Sequence, residues 1–179
     1  MLDCPLIERA GRGMKTMQAA RTGGCACGHV RFRVKGEPIF VNNCHCRRCQ
    51  QQTGSTGVVN AFYESDRVEV LQGRLTEHML VSGSGGPHLI CRCRECGTAL
   101  WSIYPRLGRL GLGLRVGTFD EPDTFTPDAV IYTESAMPWV TFPEGIPRFE
   151  QTYDFRTLLP AERVQRMLAL MAQREAGAS

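Results

Sequence analysis

Seven of the nine cysteines stand in three short clusters: Cys25-Ala-Cys27, Cys44-His-Cys46-Arg-Arg-Cys49 and Cys93-Arg-Glu-Cys96. Thiolates at these spacings can converge on one ion, because the tight turn between them points both sulfurs to one side. A closed zinc site takes four ligands. Cys25 and Cys27 with Cys93 and Cys96 make one complete set, and Cys44, Cys46 and Cys49 are left without an obvious fourth. Four closed ligands hold a fold together, whereas three ligands and an open position are the pattern of a zinc that reacts.

Charge sharpens the reading of the trio. Three thiolates on a divalent ion leave a formal charge of −1, which weakens the metal as a Lewis acid toward water and favours a soft fourth partner such as a substrate thiol. A thiol bound there deprotonates near neutral pH, and the thiolate is the nucleophile. Arg47 and Arg48, between the ligands, are candidates to offset the negative charge. Other arrangements stay open at this level. His45, His29, His88 or Cys91 could close the site and make it structural. The CxxC pair at Cys46 and Cys49 could be redox-active, although the expected βαβ context is missing. A nucleic-acid knuckle is disfavoured by the scarcity of aromatic and lysine residues around the cluster. Disulfides fit poorly, since cysteines two apart close a strained ring and nine is an odd number.

The elements that must carry these clusters read as short strands. Nineteen glycines and ten prolines in 179 residues favour turns over a helical bundle. Residues 29–35 alternate, with Val30, Phe32 and Val34 on one face. Ile39 to Val41 leads into Cys44, and Gln50 to Ser55 reads as a polar turn. The stretch 67–71 alternates, and 75–81 is expected to return beside it as a hairpin. Residues 109–116 form the clearest strand, with Gly111 and Gly113 on the face opposite Leu110, Leu112 and Leu114. Glycines there imply a close approach by another backbone or by a ligand. Ala129 to Tyr132 is a further strand. From Pro160 to about Glu175 the period turns helical, with Val164, Met167, Leu168 and Met171 on one face.

The sequence predicts one domain at 23–155, preceded by an N-terminal extension, 1–22, and followed by a C-terminal helix and tail, 156–179. Cys4 lies in the extension and reads as a free thiol. Asp3 and Glu8 interrupt that extension, which therefore does not read as a secretory signal. The expected setting is cytoplasmic, with reduced thiols. No apolar run is long enough to span a membrane, and a net charge of +3 with only two lysines does not argue for nucleic acid.

The segments Gly24-Cys-Ala-Cys-Gly28, Cys44-His-Cys-Arg-Arg-Cys49 followed by Thr53-Gly-Ser55, Cys93-Arg-Glu-Cys-Gly-Thr98 and Ala136-Met-Pro-Trp-Val140 together resemble the glutathione-dependent formaldehyde-activating enzyme family, which includes centromere protein V-like domains. The resemblance runs from about Gly23 to Asp154. It implies a mainly β fold, with compact antiparallel sheets around a zinc-ribbon-like core, here followed by a C-terminal α-helix. It implies two zinc ions per chain: a structural one on Cys25, Cys27, Cys93 and Cys96, and a catalytic one on Cys44, Cys46 and Cys49. The implied activity is carbon–sulfur lyase chemistry on a thiol–aldehyde adduct such as S-hydroxymethylglutathione. Thr53 to Ser55 could then offer donors to the aldehyde oxygen, Arg47 or Arg48 could hold a glutathione carboxylate, and Trp139 reads as a packing residue. The alternative is a zinc-stabilised β domain that binds a protein partner without catalysis. Oligomeric state is open, a homodimer being one option, and Cys91 stands outside the family pattern.

Overall fold

The computed structural model describes residues 2–3, 20–82 and 85–177. Cys4 and the other residues of 4–19 lie outside them. The described chain is mainly β, as the sequence predicts. Eleven strands are β1 Leu2–Asp3, β2 Ala20–Gly24, β3 Arg31–Lys35, β4 Phe40–Cys44, β5 Val58–Glu64, β6 Val68–Gln72, β7 Leu75–Val81, β8 Pro87–Cys93, β9 Ala99–Ile103, β10 Gly111–Arg115 and β11 Ala129–Ile131. Three α-helices are α1 Arg47–Thr53, α2 Phe155–Leu158 and α3 Ala161–Gly177.

Eight strands form one sheet in the order β1-β7-β8-β9-β10-β5-β4-β11, and β2-β3-β6 form a second. Among the described residues every pairing between these strands is antiparallel except β4 with β11, where Ala129, Val130 and Ile131 lie beside Asn42, Asn43 and Cys44. The main core lies between the sheets. Val30, just before β3, and Phe32 and Val34 of β3 pack with Tyr63, Trp101, Leu112 and Leu114 of the large sheet. Phe32 meets Trp101 edge-on, with ring centroids 6.1 Å apart. Cys91 is fully buried in this core.

Residues 20–22, just before the expected domain start at Gly23, pair with β3 opposite Lys35, Val34 and Arg33. Strands β6 and β7 do not form a hairpin: β6 pairs with β3, and β7 with β8. Gly73 makes the crossing between sheets possible. It has a φ of +85°, and a Cβ there would stand 2.3 Å from the His29 carbonyl oxygen. Gln50 to Thr53 is helical, not a turn. The helix has its own end signals, with Cys46 as N-cap and Gly54 in the left-handed region at the C-cap. Two turns are too short to display an apolar period.

The face of β10 that carries Gly111 and Gly113 is approached by side chains, not by another backbone. A Cβ on Gly111 would meet Leu107 at 2.4 Å, and one on Gly113 would meet Phe62 at 3.0 Å. Helix α3 covers this side of the large sheet. It buries Met167 and Leu170 against Ile39, Phe40, Leu107 and Phe155, while Leu168 turns outward. Arg166 forks onto Glu64 through two 2.7 Å bonds. Arg163 donates to Asp128 Oδ1 at 2.9 Å. Together these pairs fix the helix over β4 and β5.

Candidate metal centre

Two sulfur clusters emerge from this fold, and they are the ones the sequence spacing predicts. The four sulfurs of Cys25, Cys27, Cys93 and Cys96 lie within 4.8 Å of one another, as do the three of Cys44, Cys46 and Cys49.

The first cluster joins two turns of the same design. One links β2 to β3 in the small sheet, and the other links β8 to β9 in the large one. In each, a glycine follows the second cysteine and takes a positive φ, +75° at Gly28 and +73° at Gly97. Each glycine N–H donates back to the first cysteine's carbonyl at 3.0 Å. The Val30 N–H donates to Cys25 Sγ at 3.1 Å. The Thr98 hydroxyl and backbone N–H hold Cys96 down to about 5. Sulfurs of Cys25 and Cys27 are 3.4 Å apart, and those of Cys27 and Cys93 are 3.9 Å apart. A zinc–sulfur bond of about 2.3 Å sets the edge of a four-thiolate tetrahedron at about 3.8 Å. The separations bracket that edge, so the four residues fit a tetrahedral ion.

The second cluster lies where β4 runs into α1. Cys44 is the last residue of β4, and Cys46 caps α1, its Sγ accepting the Cys49 N–H at 3.4 Å. Cys49 sits one turn into the helix. Buried Gln50 keeps the helix in place by donating to the carbonyls of His45 and Ser135, both at 2.7 Å. Among the sulfurs, Cys46 gathers negative charge first. Donation from the Cys44 and Cys49 thiols, with backbone N–H groups at the helix start, draws it down to about 2. Cys44 is pushed up, first by donating to Cys46 and Cys49 and then by burial. Cys49 accepts from Cys44, which lowers it, but donation to Cys46 and burial carry it up to about 12. Such a compact set of soft donors is suited to a thiophilic ion.

No histidine, carboxylate or further cysteine joins this trio among the described residues. His45 turns away, its Nδ1 donating to the Thr56 carbonyl at 2.9 Å and its ring lying edge-on to Phe142. His29, His88 and Cys91 belong to neither cluster. The trio opens instead into a cavity of about 180 Å³. Its walls include Phe40, Phe62, Tyr104, Tyr132, Tyr153 and Met167.

Tyr132 is the one non-glycine residue with positive φ among the described residues, at +56°. An aromatic residue in this region stores about 1–3 kcal/mol of strain. Its phenol is raised by burial and by the negative charge of Cys44, Cys46 and Cys49, which keeps it a neutral hydroxyl beside the sulfurs. Tyr153 donates to Asn42 Oδ1 at 2.8 Å.

Other residues singled out from the sequence fall elsewhere. Arg47 and Arg48 are exposed and bond to Gln50 and Gln51 on their own helix. Thr53 Oγ1 donates to the Cys49 carbonyl at 2.9 Å, and neither Thr53 nor Ser55 lines the cavity. Trp139 is 72% exposed rather than packed.

The buried cation of this region is Arg115, at the end of β10. It is 4% exposed. Its Nη1 donates to Asn60 Oδ1 and its Nη2 to Ser102 Oγ, both neutral groups. Its Nε has no partner among the described residues. The charge acts on Cys49 in favour of the thiolate. Together with burial, it draws neighbouring His88 down to about 4. The sequence held a signal for it, because Arg115 continues the face of Gly111 and Gly113, where any side chain must reach inward.

Residues 20–135 match the family model described as "Glutathione-dependent formaldehyde-activating enzyme". A Halomonas elongata protein named "Putative glutathione-dependent formaldehyde-activating enzyme" is 33% identical over 88 residues. The match takes in 47% of this chain and 56% of that relative, so the chain spans a little over half the relative's length. A Rhodobacter sphaeroides protein of known crystal structure is 18% identical, with a TM-score of 0.43 over 72% of this chain and 98% of its own.

Proposed function

The chain belongs to the glutathione-dependent formaldehyde-activating enzyme family, and from that premise we propose that it is a zinc-dependent carbon–sulfur lyase acting reversibly on a thiol–aldehyde adduct in the reducing cytoplasm. The observation that carries this reading is the cysteine trio, uncapped among the described residues, in the lining of a cavity. Cys25, Cys27, Cys93 and Cys96 would hold a structural zinc, and Cys44, Cys46 and Cys49 a catalytic one. Zinc in the trio would supply thiol activation, favouring the thiolate of a substrate sulfur near neutral pH.

The chemistry is addition and its reverse, with no net oxidation. In cleavage the carbon–sulfur bond breaks with its electron pair left on sulfur. The adduct's hydroxyl loses its proton as the carbon–oxygen double bond forms, and the proton count closes on the released thiol. The chain's part is to orient and desolvate. Tyr132 and Tyr104 are neutral phenols on the cavity wall, able to donate to the aldehyde oxygen. The aromatic walls exclude water from the reacting carbon. The cavity is smaller than the roughly 300–1,000 Å³ of clefts that enclose whole ligands, so it takes the reacting end of the adduct. The peptide of glutathione then rests at the mouth, where exposed Arg106 stands.

Cobalt substitution tests the reading. The ligand-field spectrum of the cobalt-loaded protein is expected to change on addition of millimolar glutathione. A spectrum indifferent to glutathione would instead favour the non-catalytic reading, in which the zinc-stabilised sheets engage a protein partner.

Arg115 is assigned here as a positioning residue. An unpaired buried cation is costly, and the −1 charge of a tris-thiolate zinc is what would balance it. Removing such an outer partner typically costs about 10–100-fold in metal affinity. Arg115→Met is therefore expected to release one of two metal ions to a chelator at least about tenfold faster, with partial recovery in Arg115→Lys. Release of both ions at the wild-type rates in Arg115→Met would remove Arg115 from this role.

A further inference from the structure

We infer that the preferred aldehyde is not formaldehyde but one with an apolar substituent of about phenyl size, seated beside the cysteine trio under helix α3. The inference rests on the lyase reading above and names the substrate class of the same site.

The argument begins with what lines the cavity. Beyond the sulfurs its walls are dominated by Phe40, Phe62, Leu107, Ile131, Phe155 and Met167. Its two buried amides are occupied: Asn42 accepts from Tyr153, and Asn60 accepts from Arg115. Among the described residues the one guanidinium on the lining is Arg106, which is exposed and lies over the Phe155 ring at 5.0 Å. A glutathione peptide carries two carboxylates and an ammonium, and an apolar interior of this kind does not compensate them. The peptide therefore stays at the mouth, and the apolar interior is left for the group on the carbonyl carbon.

Formaldehyde presents only hydrogens to those walls. The volume is matched to something larger. A dry cavity of about 150 Å³ lined by Leu, Ile and Phe holds benzene, and the cavity here is about 180 Å³. Its far wall comes from late in the chain. Tyr153, Phe155 and Met167 lie beyond residue 135, where the family segment ends. That wall is built, not incidental. Helix α3 is fixed by the Arg163 and Arg166 ion pairs, and Met167 is 2% exposed.

The test compares glutathione adducts of formaldehyde, hexanal and phenylacetaldehyde on the zinc-loaded full chain, following carbonyl release and free thiol. A methylene in an apolar pocket discriminates by roughly 10–200-fold. The expected result is a kcat/KM for the hexanal or phenylacetaldehyde adduct at least about tenfold above that for the hydroxymethyl adduct. Met167→Trp, which fills the cavity, should reduce that ratio by about tenfold or more, and Met167→Ala, which enlarges it, covers the case of a tryptophan variant that misfolds. Equal or better turnover of the hydroxymethyl adduct by the wild-type protein would overturn the inference and leave the lyase reading standing. Failure to cleave any of the three adducts would overturn the lyase reading, and this inference with it.

Discussion

Cys46→Ser is expected to abolish cleavage of the thiol–aldehyde adduct while leaving the domain folded. The expected loss in kcat/KM is at least about 100-fold, because a direct ligand should matter no less than outer partners whose removal costs up to that factor. The fold should survive for a local reason. Cys46 is the N-cap of α1, its sulfur accepting the Cys49 N–H. Serine is among the best N-cap residues and its hydroxyl can take over that bond. The melting temperature should therefore change by no more than about 4 °C, equivalent to about 1 kcal/mol in a domain of this size. Metal analysis should find one ion per chain instead of two.

Cys93→Ser should do the opposite. Cys93 is 1% exposed and belongs to the main core. Its cluster ties the β2–β3 turn of the small sheet to the β8–β9 turn of the large one. Structural zinc contributes about 10–16 kcal/mol of apparent binding energy in small zinc peptides, and whole domains are stable by only about 5–15 kcal/mol. Losing even a third of the zinc contribution leaves little margin. The expected outcome is insoluble protein, or a melting temperature lower by roughly 10 °C or more. Equal loss of soluble protein in the Cys46 and Cys93 variants would mean that the two metals do not divide into a structural and a catalytic one.

Much of this was legible from residue types and spacing, because clustered cysteines and turn glycines are strict local patterns. The CxC and CxxC turns with their following glycines carry the geometry of the four-cysteine cluster within a few residues. The alternation of Phe32 and Val34, and of Leu112 and Leu114, marks core strands for the same local reason. What was not legible depends on partners distant in sequence. Strands β6 and β7 are adjacent and apolar, and nothing local tells that they enter different sheets. Trp139 looks like a core residue by type, yet the segment that carries it runs over the surface. Arg47 and Arg48 stand beside the trio in sequence, whereas the buried arginine, Arg115, arrives from β10. The cavity is the extreme case. Its walls are collected from β4, β5, α2 and α3, so no stretch of sequence contains it.

The two clusters also differ in how they can assemble. Cys27 and Cys93 are 66 residues apart, whereas the trio spans one β-strand end and one helical turn. Closing the longer loop costs about 2 kcal/mol more chain entropy than closing a loop of about five residues. A nascent chain can therefore gather the trio before the sheets have met, while the four-cysteine cluster comes into being only with the docked pair of hairpins. If both clusters bind metal, loading of the four-cysteine one would report completion of the fold, and the order of metallation would become a clock for folding.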